Sequence, residues 1–290
     1  MPELPEVETI ARTLAPQIVG RAVTAFTPLH PKVLQGGTDL LPRLERSVDN
    51  PLIIARVFRR AKILLIALGP AASPANPTPV EELLLAFHLK MTGSFFVHPA
   101  GAPPLKHTRL ILDLSDGSRL FFDDMRTFGY CRIMRPDQLP AWDFWAALGP
   151  EPLDMSAADL AAHFAAAFAG RRVNVKAALL NQEVVAGVGN IYADESLFQA
   201  GIRPTIVASA LGAKRLLALA EALQQILHRS IRECGSSIRN YRDALGNAGA
   251  FQNTFAVYGR KGERCVHCDS PLVSARVAGR GTVYCPACQK

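Results

Sequence analysis

The 290-residue chain is 49% hydrophobic and 20% charged, with a formal net charge of +7. Those proportions belong to a globular chain long enough for two domains, and they exclude a disordered or fibrous one. Apolar runs such as residues 63–68 and 83–87 fall far short of the ~20 residues that a membrane span requires. The acidic, proline-punctuated opening is unlike a secretory leader, so a cytoplasmic protein with no membrane partner is expected. Charge is unevenly spread: from Arg229 onward ten basic residues stand against four acidic ones. Such a surplus suits phosphates, because neutralising them releases condensed counterions. A solvated basic face would show the same surplus, so charge alone only nominates nucleic acid.

Hydrophobic periodicity predicts a first helix from about Pro5, with Val7, Ile10, Leu14 and Ile18 on one face. Short β-rich runs follow at 53–57, 63–68, 83–89, 94–97, 110–114, 120–122 and 130–134, separated by turn residues such as Ser115-Asp116-Gly117-Ser118. Residues 69–79, rich in Pro, Ala and Ser, are expected to form a surface loop. The α+β multidomain reading therefore begins with a β-sandwich or barrel over 1–135, after an initial helix. A Pro- and Gly-punctuated linker is expected over 136–153.

A helical region is predicted over 154–254. Ser156 with Asp159 opens one helix, and Gly170 closes it. A short helix is expected over 174–181, another from Asn190 to Gly201, and a long one from about Ser209 to Cys234, ended by Gly235. The segment 239–251, with Gly246 and Gly249, has the composition of a mobile loop. Two strands, Val273–Val277 and 282–284, joined by a turn over 278–281, complete a last domain over 255–290 and place Arg280 at a hairpin tip.

Cys265-x2-Cys268 and Cys285-x2-Cys288 form two pairs separated by sixteen residues. Such pairs can deliver four thiolates to one tetrahedral Zn²⁺. Two disulfides are disfavoured without a secretion signal, and a redox motif needs only one pair. Four thiolates leave no open coordination position, so the zinc is structural and holds together a segment too small for its own core. Cys131 and Cys234 are expected to be buried packing residues.

The opening string carries the chemistry. Pro2 follows Met1 in a context that permits methionine removal, which would expose a secondary amine. An α-amine titrates near ~8, so much of it is neutral and nucleophilic at physiological pH, and the positive end of the following helix favours the neutral form. Such an amine can attack a carbonyl-like carbon to give an iminium, with Glu3 as a candidate acid/base. Pro and Glu at a helix start are also ordinary structural choices.

The string Met-Pro-Glu-Leu-Pro-Glu-Val-Glu-Thr over 1–9 resembles the opening of the bacterial formamidopyrimidine-DNA glycosylases, which excise 8-oxoguanine and ring-opened purines. Arg59-Arg60-Ala61-Lys62 is similar to that family's strand with a catalytic lysine. His88-Leu89-Lys90-Met91-Thr92-Gly93 and Asp124-Met125-Arg126-Thr127-Phe128-Gly129 resemble its two intercalation segments. Gly187-Val188-Gly189-Asn190-Ile191-Tyr192 resembles its helix–two-turn–helix signature, and residues 257–263 lead into its zinc finger. The sister endonuclease VIII family, which prefers oxidised pyrimidines, typically has Gly in place of Leu4.

The resemblance implies an N-terminal β-sandwich, a helix–two-turn–helix domain and a zinc-finger hairpin. It also implies a monomeric, nucleoid-associated base-excision enzyme acting on double-stranded DNA with oxidised purines or abasic sites. Pro2 would displace the base and hold the sugar as a Schiff base, and Glu3 would move protons. Lys62 and Arg280 would assist β,δ-elimination. Met91, Arg126 and Phe128 would fill the space left by the extruded base. His107, Arg171 and Asn190 match phosphate-contacting positions, and the loop near 239–251 would cover the flipped purine. Three positions depart from the usual pattern: Lys90 replaces a frequent Gly, Met125 a common Pro, and Thr127 a common Arg. A zinc-stapled DNA-binding protein without catalysis is the competing reading.

Overall fold

The structure, a computed structural model, describes residues 1–44, 51–71 and 81–290; most of the loop expected over 69–79 lies outside the described residues. The chain forms two compact units, one made of Met1–Ala146 with Ser236–Gly249, the other of Ala147–Gly235 with Ala250–Lys290.

In the first unit, helix α1 (Leu4–Ile18) is followed by strand β1 (Val23–Pro28), a short helix α2 (Leu41–Leu44) and strands β2 (Ile53–Arg60), β3 (Ile63–Gly69), β4 (Leu83–His88), β5 (Gly93–His98), β6 (Thr108–Leu114), β7 (Arg119–Asp124) and β8 (Tyr130–Met134). They build two antiparallel four-stranded sheets, ordered β1-β6-β7-β5 and β2-β3-β4-β8. The expected sandwich is present. Strand β1 was not foreseen: only Val23 and Phe26 are buried along it, and a register shift between Val23 and Ala25 breaks the period of two.

Helix α1 forms because Leu4, Val7, Ile10, Leu14 and Ile18 share one face, and all are 0% exposed. Burial of each contributes roughly 1.5–3 kcal/mol against the ordering entropy. Val7, Ile10, Leu14 and Ile18 pack with Leu64, Ile66 and Leu68 of β3, Leu85 and Phe87 of β4, and Leu112 and Phe122 of the other sheet. Alternate residues of β3 and β4 face the opposite way, onto Tyr130, Met134 and Trp142. Strands buried on both faces need a second cover. The first part of the expected linker supplies it: a 3-10 turn (Pro136–Ala141) and helix α3 (Asp143–Ala146) bring Leu139, Trp142, Phe144 and Trp145 against that face.

The segment Ser236–Gly249 belongs with this first unit, and it is tied down along its length. Ala244 joins the core; its N–H donates to Thr13 Oγ1 at 3.1 Å, and its carbonyl accepts from Gln17 Nε2 at 3.1 Å. The buried Asp243 carboxylate accepts from the N–H groups of Leu245 and Asn247 at 2.9 and 2.8 Å.

The second unit holds helices α4 (Ala157–Phe168), α5 (Val175–Leu180), α6 (Asn190–Gln199) and α7 (Ala213–Arg232), then the hairpin β9 (Val273–Val277) and β10 (Arg280–Tyr284). Ser156 caps α4 as expected, its Oγ accepting from Asp159 N at 3.1 Å. Helix α7 starts later than expected, because a 3-10 turn (Ala208–Ala210) occupies the preceding residues. Past its end, Cys234 takes the left-handed φ of +59° that closes many helices, and the turn leaves this cysteine exposed rather than buried. Cys131 is buried, as expected.

Candidate active site and zinc centre

The N-terminus of α1 is a built site. Pro2 is buried, Glu3 is 3% exposed, and Met1 stands out at 44% exposed. Glu3 is the N-cap residue: its N–H donates to Glu6 Oε2 at 2.8 Å, and its carbonyl accepts from Val7 N at 3.1 Å. Pro5, in the first turn, gives up no hydrogen bond there. Glu6 is committed to structure. Its Oε1 accepts from Ser236 N at 2.8 Å and Ser236 Oγ at 3.0 Å, which fixes the start of the 236–249 segment one turn from Glu3. Tyr241 adds a bond from its hydroxyl to the Glu6 carbonyl at 3.3 Å.

Lys62 is 7% exposed and lies in the two-residue turn between β2 and β3, where Ala61 adopts a φ of +52°. It is therefore a buried turn lysine, not one cation in an exposed strand. Beside it stands His88, paired with Ile63 across the sheet. Burial, then the positive charges of Lys90 and Lys62, pull His88 down to about 3, so it is neutral at physiological pH. Its Nδ1 accepts from Lys90 N at 3.0 Å, so Nε2 carries the proton. Sequence reasoning passed over this histidine; its place between Lys62 and Lys90 in a buried strand was the available signal.

Two loops of the same unit expose the expected wedge residues. Met91 is 39% exposed and Phe128 52%, with the Arg126 guanidinium 4.8 Å from the Phe128 ring centroid. Met125 is also exposed. Lys90 and Thr127 take φ values of +50° and +56°, which explains a preference for Gly at position 90. His107, half-buried, accepts from Asp124 N through its carbonyl at 2.9 Å, and its ring nitrogen lies 3.4 Å from Arg109. These loops are thereby brought to one place. Asp124 joins them.

In the second unit, Asn190 is the first residue of α6; Gly189, not Asn190, is its N-cap. Asn190 Nδ2 donates to the Gly281 carbonyl at 3.1 Å, which links the helix start, where the dipole favours anions, to the hairpin. The hairpin turn is shorter than expected. Only Ala278 and Gly279 form it, with φ values of +50° and +71°, the signature of a type I′ turn. Arg280 is thus the first residue of β10, opposite Val277 and exposed. Beneath it lies Lys176, 0% exposed, which sequence reasoning missed: its ammonium pairs with Asp194 at 2.7 Å and donates to Thr282 Oγ1 at 2.6 Å and the Gly281 carbonyl at 3.3 Å. Arg171 stands apart, exposed after α4.

The sulfur atoms of Cys265, Cys268, Cys285 and Cys288 lie within 4.8 Å of one another, the pairs 265–288 and 268–285 at 3.9 and 3.5 Å. Tetrahedral thiolates at ~2.3 Å from zinc stand roughly 3.8 Å apart, so the donors fit. The N–H groups of His267 and Cys288 point at Cys265 and Cys285 Sγ, at 3.5 and 3.4 Å, a further stabilisation of thiolates. Phe198, Val257 and Leu272 pack around the cluster. This is a structural zinc centre. Among the described residues, no helix is long and apolar enough to cross a membrane.

Comparison with known proteins agrees with this geometry. Three family models match in succession: the formamidopyrimidine-DNA glycosylase N-terminal domain over residues 1–131, its H2TH domain over 148–242, and the zinc finger found in FPG and IleRS over 262–290. Together they define a DNA glycosylase with a helix–two-turn–helix domain and a structural zinc finger. Formamidopyrimidine-DNA glycosylases of Nitratidesulfovibrio vulgaris and Desulfitobacterium hafniense are 42% and 40% identical, with 100% of both chains covered in each case. A Lactococcus lactis FPG mutant in complex with a Fapy-dG containing DNA aligns with a TM-score of 0.86 at 32% identity, over 100% of each chain. The Lactococcus lactis Fpg bound to DNA with an abasic site gives 0.85 at 32% identity, over 99% of each. The chain belongs to the formamidopyrimidine-DNA glycosylase family.

Proposed function

We propose that this chain excises oxidised purines from double-stranded DNA and then cleaves the strand, with the Pro2 amine as nucleophile. The observation that carries the reading is the built N-terminus: a buried Pro2, an accessible Met1 to be removed, and a buried Glu3 at the start of α1. The nitrogen of Pro2 bonds to C1′ as the glycosidic C–N bond breaks, and the base leaves with that electron pair and a proton. Glu3 protonates the ring oxygen, so the sugar opens to an iminium. Loss of a C2′ proton then expels the 3′ phosphate, and a second elimination expels the 5′ phosphate.

Lys62 and Arg280 support the two eliminations by proton donation or by stabilising phosphate charge. His107, Arg126, Arg171 and Asn190 contact DNA, with the neutral His88 as a further donor through Nε2. The target base must first leave the stack, and Met91, Arg126 and Phe128 occupy the vacancy. The loop near 239–251 covers the extruded base. Support for the substrate class comes from the Lactococcus lactis relative, crystallised on Fapy-dG and on abasic-site DNA. The same Lactococcus lactis protein was also crystallised with DNA containing an oxidised pyrimidine, which makes lesion range a matter for rate comparison. The enzyme acts as a cytoplasmic monomer on nucleoid DNA.

Borohydride reduction during turnover on an abasic duplex tests the reading. Wild type is expected to form a covalent protein–DNA adduct, and Pro2→Gly to form none; a wild-type protein that gives no adduct would contradict it. Cleavage of 8-oxoguanine duplex faster than of oxidised-thymine duplex is expected from the same preparation.

A further inference from the structure

We infer that Asp124 is a positioning residue that locks the Met91 loop and the Arg126–Phe128 loop into one rigid wedge. The inference deepens the proposed function and rests on its reading of those loops as fillers of the vacated stack. Asp124 is 1% exposed at the end of β7, paired with Gly93 across the sheet. Its carboxylate faces both loops. Thr92 Oγ1, next to Met91, donates to Oδ1, and Arg126 N donates to the same oxygen at 3.1 Å. Arg126 N also reaches Thr92 Oγ1 at 3.1 Å, so the three groups close a ring across the two loops. The other oxygen, Oδ2, accepts from Gly129 N at 2.7 Å, just beyond Phe128.

Gly129 permits that approach: a Cβ there would lie 2.7 Å from the Phe122 ring and 3.1 Å from Asp124 Oδ2. The backbone of Asp124 extends the network, its N–H to the His107 carbonyl at 2.9 Å and its carbonyl accepting from Arg109 Nε at 2.8 Å. Only an acceptor-only side chain serves all these donors. An asparagine in the same place must turn an NH₂ group toward Gly129 N or toward the Thr92–Arg126 pair, setting donor against donor. Side chains that must enter a stacked duplex together gain from such fixing, because a misplacement of ~1 Å can cost about 10²-fold in rate.

Asp124→Asn and Thr92→Val, compared with Met91→Ala and Phe128→Ala, test the inference. Each is assayed for excision of 8-oxoguanine from duplex DNA and for cleavage at a preformed abasic site, where no base needs to be extruded. Asp124→Asn is expected to slow excision by about 10–100-fold, mainly in kcat, with abasic-site cleavage within about threefold of wild type. Thr92→Val, which keeps the carboxylate and guards against a folding defect, is expected to shift the same ratio by about 3–10-fold. Parallel loss of both activities in both variants would assign Asp124 a general structural role and overturn the inference. Normal excision in Asp124→Asn while Met91→Ala and Phe128→Ala are slow would overturn it and leave the wedge reading standing. Normal excision in Met91→Ala and Phe128→Ala would overturn both.

Discussion

Lys176→Met removes an ammonium that is 0% exposed and leaves Asp194, 1% exposed, facing Thr282 and the hairpin without its ion-pair partner at 2.7 Å. Breaking a buried pair from one side costs about 3–5 kcal/mol, because the remaining charge is uncompensated. Burial already pushes Asp194 up to about 7 even with Lys176 beside it, so loss of the ammonium must raise it further. The carboxylate then takes up a proton as pH falls. The penalty is therefore expected in full only above that raised value, and to shrink as pH falls from 8 toward 6, where a neutral acid replaces the stranded charge. Hydrogen exchange of α5 and α6, read by mass spectrometry and corrected for intrinsic rates, reports the opening free energy of this unit. A full loss of about 4 kcal/mol, reached at the alkaline end, corresponds to roughly a 10³-fold faster exchange. A change below about fivefold at pH 8, or one independent of pH, would refute the argument that this pair anchors the hairpin bearing Arg280.

Other outcomes follow from the same structure. Cys288→Ser is expected to lose zinc, measured by plasma mass spectrometry, and to weaken duplex binding by at least about tenfold through disorder of the hairpin; undiminished affinity in a zinc-free protein would contradict this. His88 sits near 3 in the folded chain against an ordinary 6.5, so the unfolded chain binds its proton first as pH falls. The stabilising effect of its neutral form is complete above about pH 6.5 and declines by about 1.4 kcal/mol per pH unit below it. Urea titrations should show wild type losing more stability between pH 7 and 5 than His88→Gln does, by about that slope, because Asp194, raised to about 7, titrates alike in both; equal losses in the two proteins would contradict it. Ala278→Gly, at a φ of +50° in the hairpin turn, should stabilise the hairpin by about 0.5–1 kcal/mol, visible as slower exchange over β9 and β10; faster exchange would argue against the turn assignment.

Much of this was legible in the sequence because local patterns coincide with tertiary roles. The apolar face of α1, the alternating strands and the paired CxxC motifs each state their environment directly. What escaped the sequence depended on partners distant in the chain. Glu6 looks like a free carboxylate until Ser236 arrives, 230 residues away. Lys176 looks like a surface cation until Asp194 and Thr282 surround it. The tryptophans after Arg135 read as linker residues, because nothing local shows that β3 and β4 are apolar on both faces and need a cover. The segment 239–251 has the composition of a mobile loop, yet Thr13, Gln17 and Glu6 bind much of it to α1. Lys90 and Thr127 depart from a common pattern in side chain, and the backbone is left-handed at both.

The central claim, that the attacking atom is the nitrogen of Pro2, is tested most directly by digesting the borohydride-trapped adduct and sequencing the modified peptide. The account predicts a reduced sugar remnant on the peptide spanning residues 2–12, with Met1 absent. A remnant on a peptide containing Lys62, or Met1 retained in fully active enzyme, would contradict it.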